Sequence, residues 1–238
     1  MTVLSADAGA ALAGAVIAFD LDGTLVDTAP DLIGTLNWLL AEEGVAPLPI
    51  EEARPFIGRG ARWMIERGFQ AAGVMLEAGR VQPLFDRFIV RYNAHIADES
   101  RPFPGVVGAL EALKARGARL AVCTNKLTGL SVNLLDALDL SRLFDAVVGA
   151  DAAPAAKPDP RHLEAAIAAA GGSRERGAIL VGDASTDAGA ARAAGVPLIL
   201  VSFGYTETPA AELRPDILIH HFDELPDACV RLLGACDA

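Results

Sequence analysis

Residues 15–28 read AVIAFDLDGTLVDT. Val16, Ile17, Ala18 and Phe19 form a short apolar run with a β-branched start, and Asp20-Leu21-Asp22-Gly23-Thr24 ends it abruptly. The pattern predicts a buried strand running out into a tight turn. Residues i and i+2 of an extended chain face the same side, so the carboxylates of Asp20 and Asp22 are expected to look into one space. There they repel each other unless a cation sits between them or one keeps its proton. Asp and Gly also favour ordinary solvated turns, which the stretch alone leaves open. An EF-hand loop does not fit. It requires Gly at its sixth position and Glu at its twelfth, where this chain, counted from Asp20, has Leu25 and Asp31.

Downstream, the pattern turns helical from Thr28, with Pro30 suited to a first turn, Leu32, Ile33, Leu36, Leu39 and Leu40 at helical spacing, and Gly44 as a stop. The Pro-punctuated VAPLP, the segment FIGRGARWMIERGF and an amphipathic run from about Leu84 to Ile96 follow, with no strand signal between residues 30 and 98. These features predict an all-helical insertion bounded by Asp27 to Pro30 and by ESRPFPG at 99–105. Beyond Gly105, helix and strand patterns alternate, with strands at Arg119 to Cys123, Ala146 to Gly149, Ala178 to Val181, Leu198 to Val201 and Asp216 to Ile219. Repeated βα units make a parallel sheet covered on both faces. The expected fold is α/β: a Rossmann-like core from residues 1–27 and 102–238, with a helical cap from residues 28–101.

Composition narrows the function. The chain has 238 residues, is 52% hydrophobic and only 5% aromatic, and has a formal net charge of −11. It is long enough for a substantial core built mainly from Ala, Leu and Val. Its acidity argues against nucleic acid, which demands a basic surface. The first nineteen residues contain no Lys or Arg and no spanning length of apolar sequence, so neither a signal peptide nor a membrane anchor is expected. Residues 1–14 match no motif. Cys123, Cys229 and Cys236 lack zinc-site spacing and read as free thiols of a reducing cytoplasm.

In open α/β sheets ligands bind outside the carboxyl ends of the strands. At those ends the sequence places Asp20 and Asp22, then Thr124-Asn125-Lys126, then Lys157 in AAKPDP, then Gly182-Asp183 with Asp187 four residues on. Such a concentration of chemical groups at one edge makes a bland turn at Asp20 improbable. Asp20, Asp22, Asp183 and Asp187 in one pocket require a hard divalent cation, for which Mg²⁺ is the natural choice. Lys157 and the Thr124 hydroxyl can hold phosphate oxygens. A carboxylate can attack phosphorus once its charge is neutralised, while a second acid protonates the leaving oxygen and later activates water. Asp20, ending the rigid strand, suits the nucleophile, and Asp22 the acid/base.

Together FDLDGTLVDT, CTNK, KPDP and GDASTD resemble the four motifs of the haloacid dehalogenase-like hydrolases, in their DxDGT phosphatase form. The resemblance implies Asp20 as nucleophile, Asp22 as acid/base with its carbonyl on Mg²⁺, and Thr124, Asn125 and Lys126 as phosphate and substrate contacts. It further implies Lys157 as charge stabiliser, Asp183 as metal ligand, and Asp187 supporting the metal through water. The helices correspond to the family's cap, and the enzyme is expected as a monomer or homodimer acting on a small phosphorylated metabolite, without nucleic acid or membrane. Ala184 stands where many members carry Ser, a change of small expected consequence.

Cap composition bears on the substrate. Residues 28–101 contain no lysine, which disfavours phosphonoacetaldehyde hydrolysis through a Schiff base, and the presence of Asp22 disfavours dehalogenation. IGRGARWMIERGF, RPFPGV and SFGYTETPAAELRPDILI are similar to the matching stretches of the phosphoglycolate phosphatase branch. On that similarity Arg59, beside Gly60 in a loop, is expected to hold a substrate carboxylate. Arg62 is equally compatible with a solvated helix face. His95, His162, His220 and His221 read as structural or surface residues, and Trp38 and Trp63 as cap packing. Other small-molecule phosphatases, acting on pyrophosphate or sugar phosphates, and an isomerase of the β-phosphoglucomutase type share the catalytic pair and remain alternatives.

Overall fold

The computed structural model describes residues 12–77 and 79–234. Cys236 and most of residues 1–14 lie outside them. Six parallel strands form the main sheet in the order β5-β4-β1-β6-β7-β8: β1 Val16–Phe19, β4 Arg119–Thr124, β5 Ala146–Gly149, β6 Ala178–Gly182, β7 Leu198–Val201 and β8 Ile217–Ile219. The strand carrying the opening motif is central, paired with β4 on one side and β6 on the other. All four of its residues are fully buried, as a two-sided parallel sheet requires.

Strand alternation divides the core. Ile17 and Phe19 face a layer built by Leu110 and Leu113 of α5 (Val106–Ala115), Leu134 and Leu135 of α6 (Thr128–Ala137), and Leu225 and Leu233 of α9 (Leu225–Gly234). Val16 and Ala18 face α7 (Pro160–Ala169) and α8 (Ser185–Ala194), where small residues such as Ala188, Ala190, Ala191 and Ala194 bring helix and sheet close together. This is the expected Rossmann-like arrangement with helices on both faces.

Between β1 and β4 the chain builds a third apolar cluster. It contains α1 (Ala29–Glu42), the short α2 (Ile50–Ala53), α3 (Ala61–Ala71) and α4 (Val81–Ala94). Leu36, Leu39, Ile65, Phe69, Phe88 and Tyr92 form its interior. At Gly68 a Cβ would come within 2.8 Å of the Leu36 side chain, so glycine permits the close approach of α3 to α1. Trp38 and Trp63 pack against this cluster.

Two short strands that no sequence pattern announces, β2 (Val26–Asp27) and β3 (Arg101–Pro102), pair antiparallel where the chain enters and leaves the helical layer. Asp31, in the first turn of α1, ties the two crossings. Its carboxylate accepts from the Ser100 N–H at 2.8 Å, the Ser100 hydroxyl at 2.6 Å and the Glu99 N–H at 3.0 Å.

Candidate active site

The carboxyl ends of β1 and β4 and the loop after β5 border one cavity. Its volume is about 260 Å³; Asp20, Asp22, Thr124, Asn125 and Lys126 line the core side, and Phe56, Arg59, Met64, Phe88 and Tyr92 line the side of the helical layer. The pocket is largely apolar with a few convergent polar groups, which suits a small substrate.

Asp20, Asp183 and Asp187 are all buried and offer oxygens within 4.8 Å of one another. Lys157 is the cation among them, with Nζ 2.6 Å from Asp187 Oδ1 and 3.0 Å from Asp20 Oδ1. Asp183 accepts from the Thr24 hydroxyl at 2.8 Å and the Tyr205 N–H at 2.7 Å. Asp187 accepts from the Asp183 and Ala184 N–H groups, capping α8 from within. Gly23 and Gly204 keep this cluster compact. A Cβ at Gly23, where φ is +82°, would lie 2.8 Å from Asp183 Oδ2, and one at Gly204 would lie 2.1 Å from the Asp183 Cβ.

Three buried carboxylates with one ammonium leave an excess of negative charge. Burial accordingly pushes the Asp183 carboxyl up to about 8, with Asp187 and Asp20 adding to the rise. Burial also raises Asp20 to about 6, against the pull of Lys157. For Lys157 itself burial opposes the charge, but Asp187 and Asp20 outweigh it and hold the ammonium well above the ordinary lysine range. An all-oxygen, over-negative, buried donor set of this kind fits a hard divalent cation.

Asp22 lines the same cavity as Asp20 but stands outside the three-acid cluster. Instead it pairs with Lys126 Nζ at 2.8 and 3.0 Å, and Lys126 also lies 4.6 Å from the Tyr92 ring centroid. The cause is the turn. After Asp20 the chain leaves extended geometry, Asp22 bridges to Val26, and the Gly23 N–H donates back to the Val26 carbonyl. Three acids thus cluster around Lys157, and Asp22 faces the cavity beside Asp20 with Lys126 as its own cation.

The remaining candidates have mixed surroundings. Thr124 faces the cavity and accepts from the Lys126 N–H at 3.2 Å. Asn125 donates to the carbonyls of Gly58 and Lys157 and accepts from the Lys157 N–H at 2.9 Å, linking the helical-layer loop to the lysine. Arg59 and Gly60 line the cavity, with the exposed Arg59 guanidinium 5.0 Å from the Trp63 ring. Arg62 hydrogen-bonds Gln82 and stacks over Phe85. His162, fully buried, accepts from the Lys157 N–H at 3.2 Å, and burial lowers it to about 4, so it stays neutral and structural. Cys123 and Cys229 are free, buried thiols, each pushed up to about 12 by burial.

Sequence reading overlooked Thr24, Tyr205 and Tyr92. Tyr205 donates its hydroxyl to Asp27, accepts from the Ala29 N–H at 3.1 Å and gives its own N–H to Asp183, so it spans from the acid cluster to the crossing strands. Spacing carries no signal for such a contact.

The sheet order, the acids at its central strand ends and the helical layer above them define a class. The chain belongs to the haloacid dehalogenase-like hydrolases, whose family pattern matches residues 17–201. Within that family several relatives carry the same name. A phosphoglycolate phosphatase of Caulobacter vibrioides is 60% identical over 95% of both chains. One from Agrobacterium fabrum is 47% identical over 88% of this chain and 90% of its own. Among solved structures, a predicted phosphoglycolate phosphatase from Haemophilus somnus superimposes with a TM-score of 0.82 at 30% identity, covering 90% of this chain and 96% of that one. The chain is an enzyme of the phosphoric monoester hydrolase type.

Proposed function

We propose that this enzyme hydrolyses 2-phosphoglycolate to glycolate and phosphate, with Mg²⁺, through an aspartyl-phosphate on Asp20. The observation that carries the reading is the unequal setting of the two cavity carboxylates, Asp20 in the acid cluster beside Lys157 and Asp22 outside it on Lys126. Two carboxyls in different environments divide nucleophilic and proton-transfer roles. The substrate follows from the relatives' shared name.

Asp20, Asp183 and Asp187 would hold the cation, and the carbonyl of Asp22 would join them. When bound, Mg²⁺ supplies positive charge to the phosphate oxygens, easing the approach of a negative nucleophile. Asp20 attacks phosphorus, and the bond from phosphorus to the glycolate oxygen breaks as Asp22 delivers a proton to that oxygen. Asp22 then takes a proton from water, which attacks phosphorus and frees Asp20. Lys157 offsets the nucleophile's charge, while Thr124 and Asn125 face the phosphate. The pairing of Asp22 with Lys126 matches the base half of the cycle, in which the carboxylate must be ionised. The helical layer, residues 28–101, serves as a cap that shields the intermediate from water. The metabolite substrate and buried thiols accord with a cytoplasmic monomer or homodimer.

The test is a side-by-side kcat/KM comparison over small phosphate esters with Mg²⁺. Phosphoglycolate should rank first, EDTA should abolish turnover, and added Mg²⁺ should restore it. A sugar phosphate or pyrophosphate ranking first would overturn the substrate, and conversion of glucose 1-phosphate to its 6-phosphate would move the chain to the isomerases.

Cation binding should also show in stability. Asp20 and Asp183 titrate higher in the folded chain than their ordinary 3.8, so without a cation the fold takes up protons that the unfolded chain releases. Their contribution to stability therefore falls as pH rises from about 4 to about 8. A cation competes with those protons. Millimolar Mg²⁺ should raise Tm by several degrees at pH 8 and little at pH 5. Equal shifts at the two pH values would remove these carboxylates as the site.

A further inference from the structure

Tyr92 is fully buried on α4; the Lys126 ammonium stands beside its hydroxyl, but no acceptor takes the hydroxyl proton. The other unpartnered buried side-chain atoms among the described residues are on Thr28, Arg54 and Thr186, none of which lines the 260 Å³ cavity. Tyr92 does line it, on the wall where Lys126 and Asp22 meet. A buried hydroxyl whose proton has no acceptor is costly and calls for one from outside the protein.

The chemistry of the proposed substrate supplies that partner. Asp22 must reach the oxygen that leaves phosphorus, and in phosphoglycolate the carboxylate is one methylene beyond that oxygen. It must therefore lie beside Asp22, where the buried cation is Lys126. Arg59 and Arg62 are both exposed and stacked on rings of the helical layer. Burial pushes the Tyr92 hydroxyl up to about 12, so it remains a neutral donor at working pH.

Resting on the phosphoglycolate reading, we propose that Tyr92 is a specificity-determining residue whose hydroxyl donates to the substrate carboxylate, with the Lys126 ammonium supplying the charge beside it. The helical layer thus reads the non-phosphate end of the substrate through a buried hydroxyl, while Arg59, in the loop before α3, and Arg62, on α3, are exposed.

The test compares Tyr92→Phe with the parent enzyme on phosphoglycolate and ethyl phosphate, which lacks the carboxylate. A hydrogen bond to a charged group predicts that the kcat/KM ratio of the two esters falls about tenfold or more, chiefly through KM. Tm should hold or rise, because an unpartnered polar atom has been removed. As a measurement independent of turnover, the Ki of 3-phosphonopropionate should weaken relative to that of propylphosphonate by a similar factor. An unchanged ratio, or an equal loss on both esters with a lower Tm, would overturn the role of Tyr92 and reduce it to packing. A parent enzyme that does not prefer phosphoglycolate over ethyl phosphate would instead overturn the substrate reading itself.

Discussion

Asp20→Asn is expected to lower kcat by roughly 10³-fold or more, the scale seen when a nucleophile is removed, while the fold survives. Asparagine keeps the shape of the side chain, and the backbone there is fixed by the Asp20 N–H donating to the Val181 carbonyl at 2.9 Å. On the proposed mechanism, what disappears is the negative oxygen that attacks phosphorus. Electrostatically the change is mild. Lys157 loses one carboxylate but keeps Asp187 at 2.6 Å, and the excess negative charge of the cluster falls. Thermal melting of the cation-free protein should show a Tm equal to or above that of the parent. Single-turnover assays with excess enzyme should show no phosphoenzyme and no product on the parent's timescale. More than a tenth of the parent rate would sink the assignment of Asp20 as nucleophile.

Lys157→Met should cost both activity and stability. The lysine side chain is fully buried, and methionine fills a similar volume without the charge. Removing one partner of a buried ionic network typically costs about 3–5 kcal/mol, which for a chain of this size corresponds to a Tm lower by roughly 10 °C. Protonation softens the loss, since three crowded carboxylates can take up a proton. Urea melts should therefore show a larger deficit at pH 8 than at pH 5, and Mg²⁺ should recover part of it at pH 8. A deficit independent of pH would mean that Lys157 stabilises by packing alone.

The core was legible because its signals are local. A β-branched run ending in Asp-x-Asp-Gly-Thr, and later apolar runs broken by Thr-Asn-Lys or Gly-Asp, report strands and their exits by pattern alone. The parallel sheet and the acids at its edge followed. Other features depend on contacts between distant segments. β2 and β3 have two residues each, too few for any period to appear. The Lys126 partnership that draws Asp22 away from the other acids spans 104 positions. Tyr92 sits in a helical pattern as one more large residue on an apolar face, and only its bare hydroxyl distinguishes it.

The central position of β1 also bears on how the molecule assembles. Its neighbours in the sheet begin at Arg119 and Ala178, so a chain emerging in order from the ribosome makes this strand early and must leave it unpaired until both have appeared. Contacts so distant in sequence form slowly, because the intervening chain must first be brought together. The helices between residues 29 and 94 have no such wait and can collapse on one another as soon as they are made. The order of synthesis therefore favours completing the helical layer before the central sheet, and the acid cluster, which needs β6 and α8, closes only after both have been made.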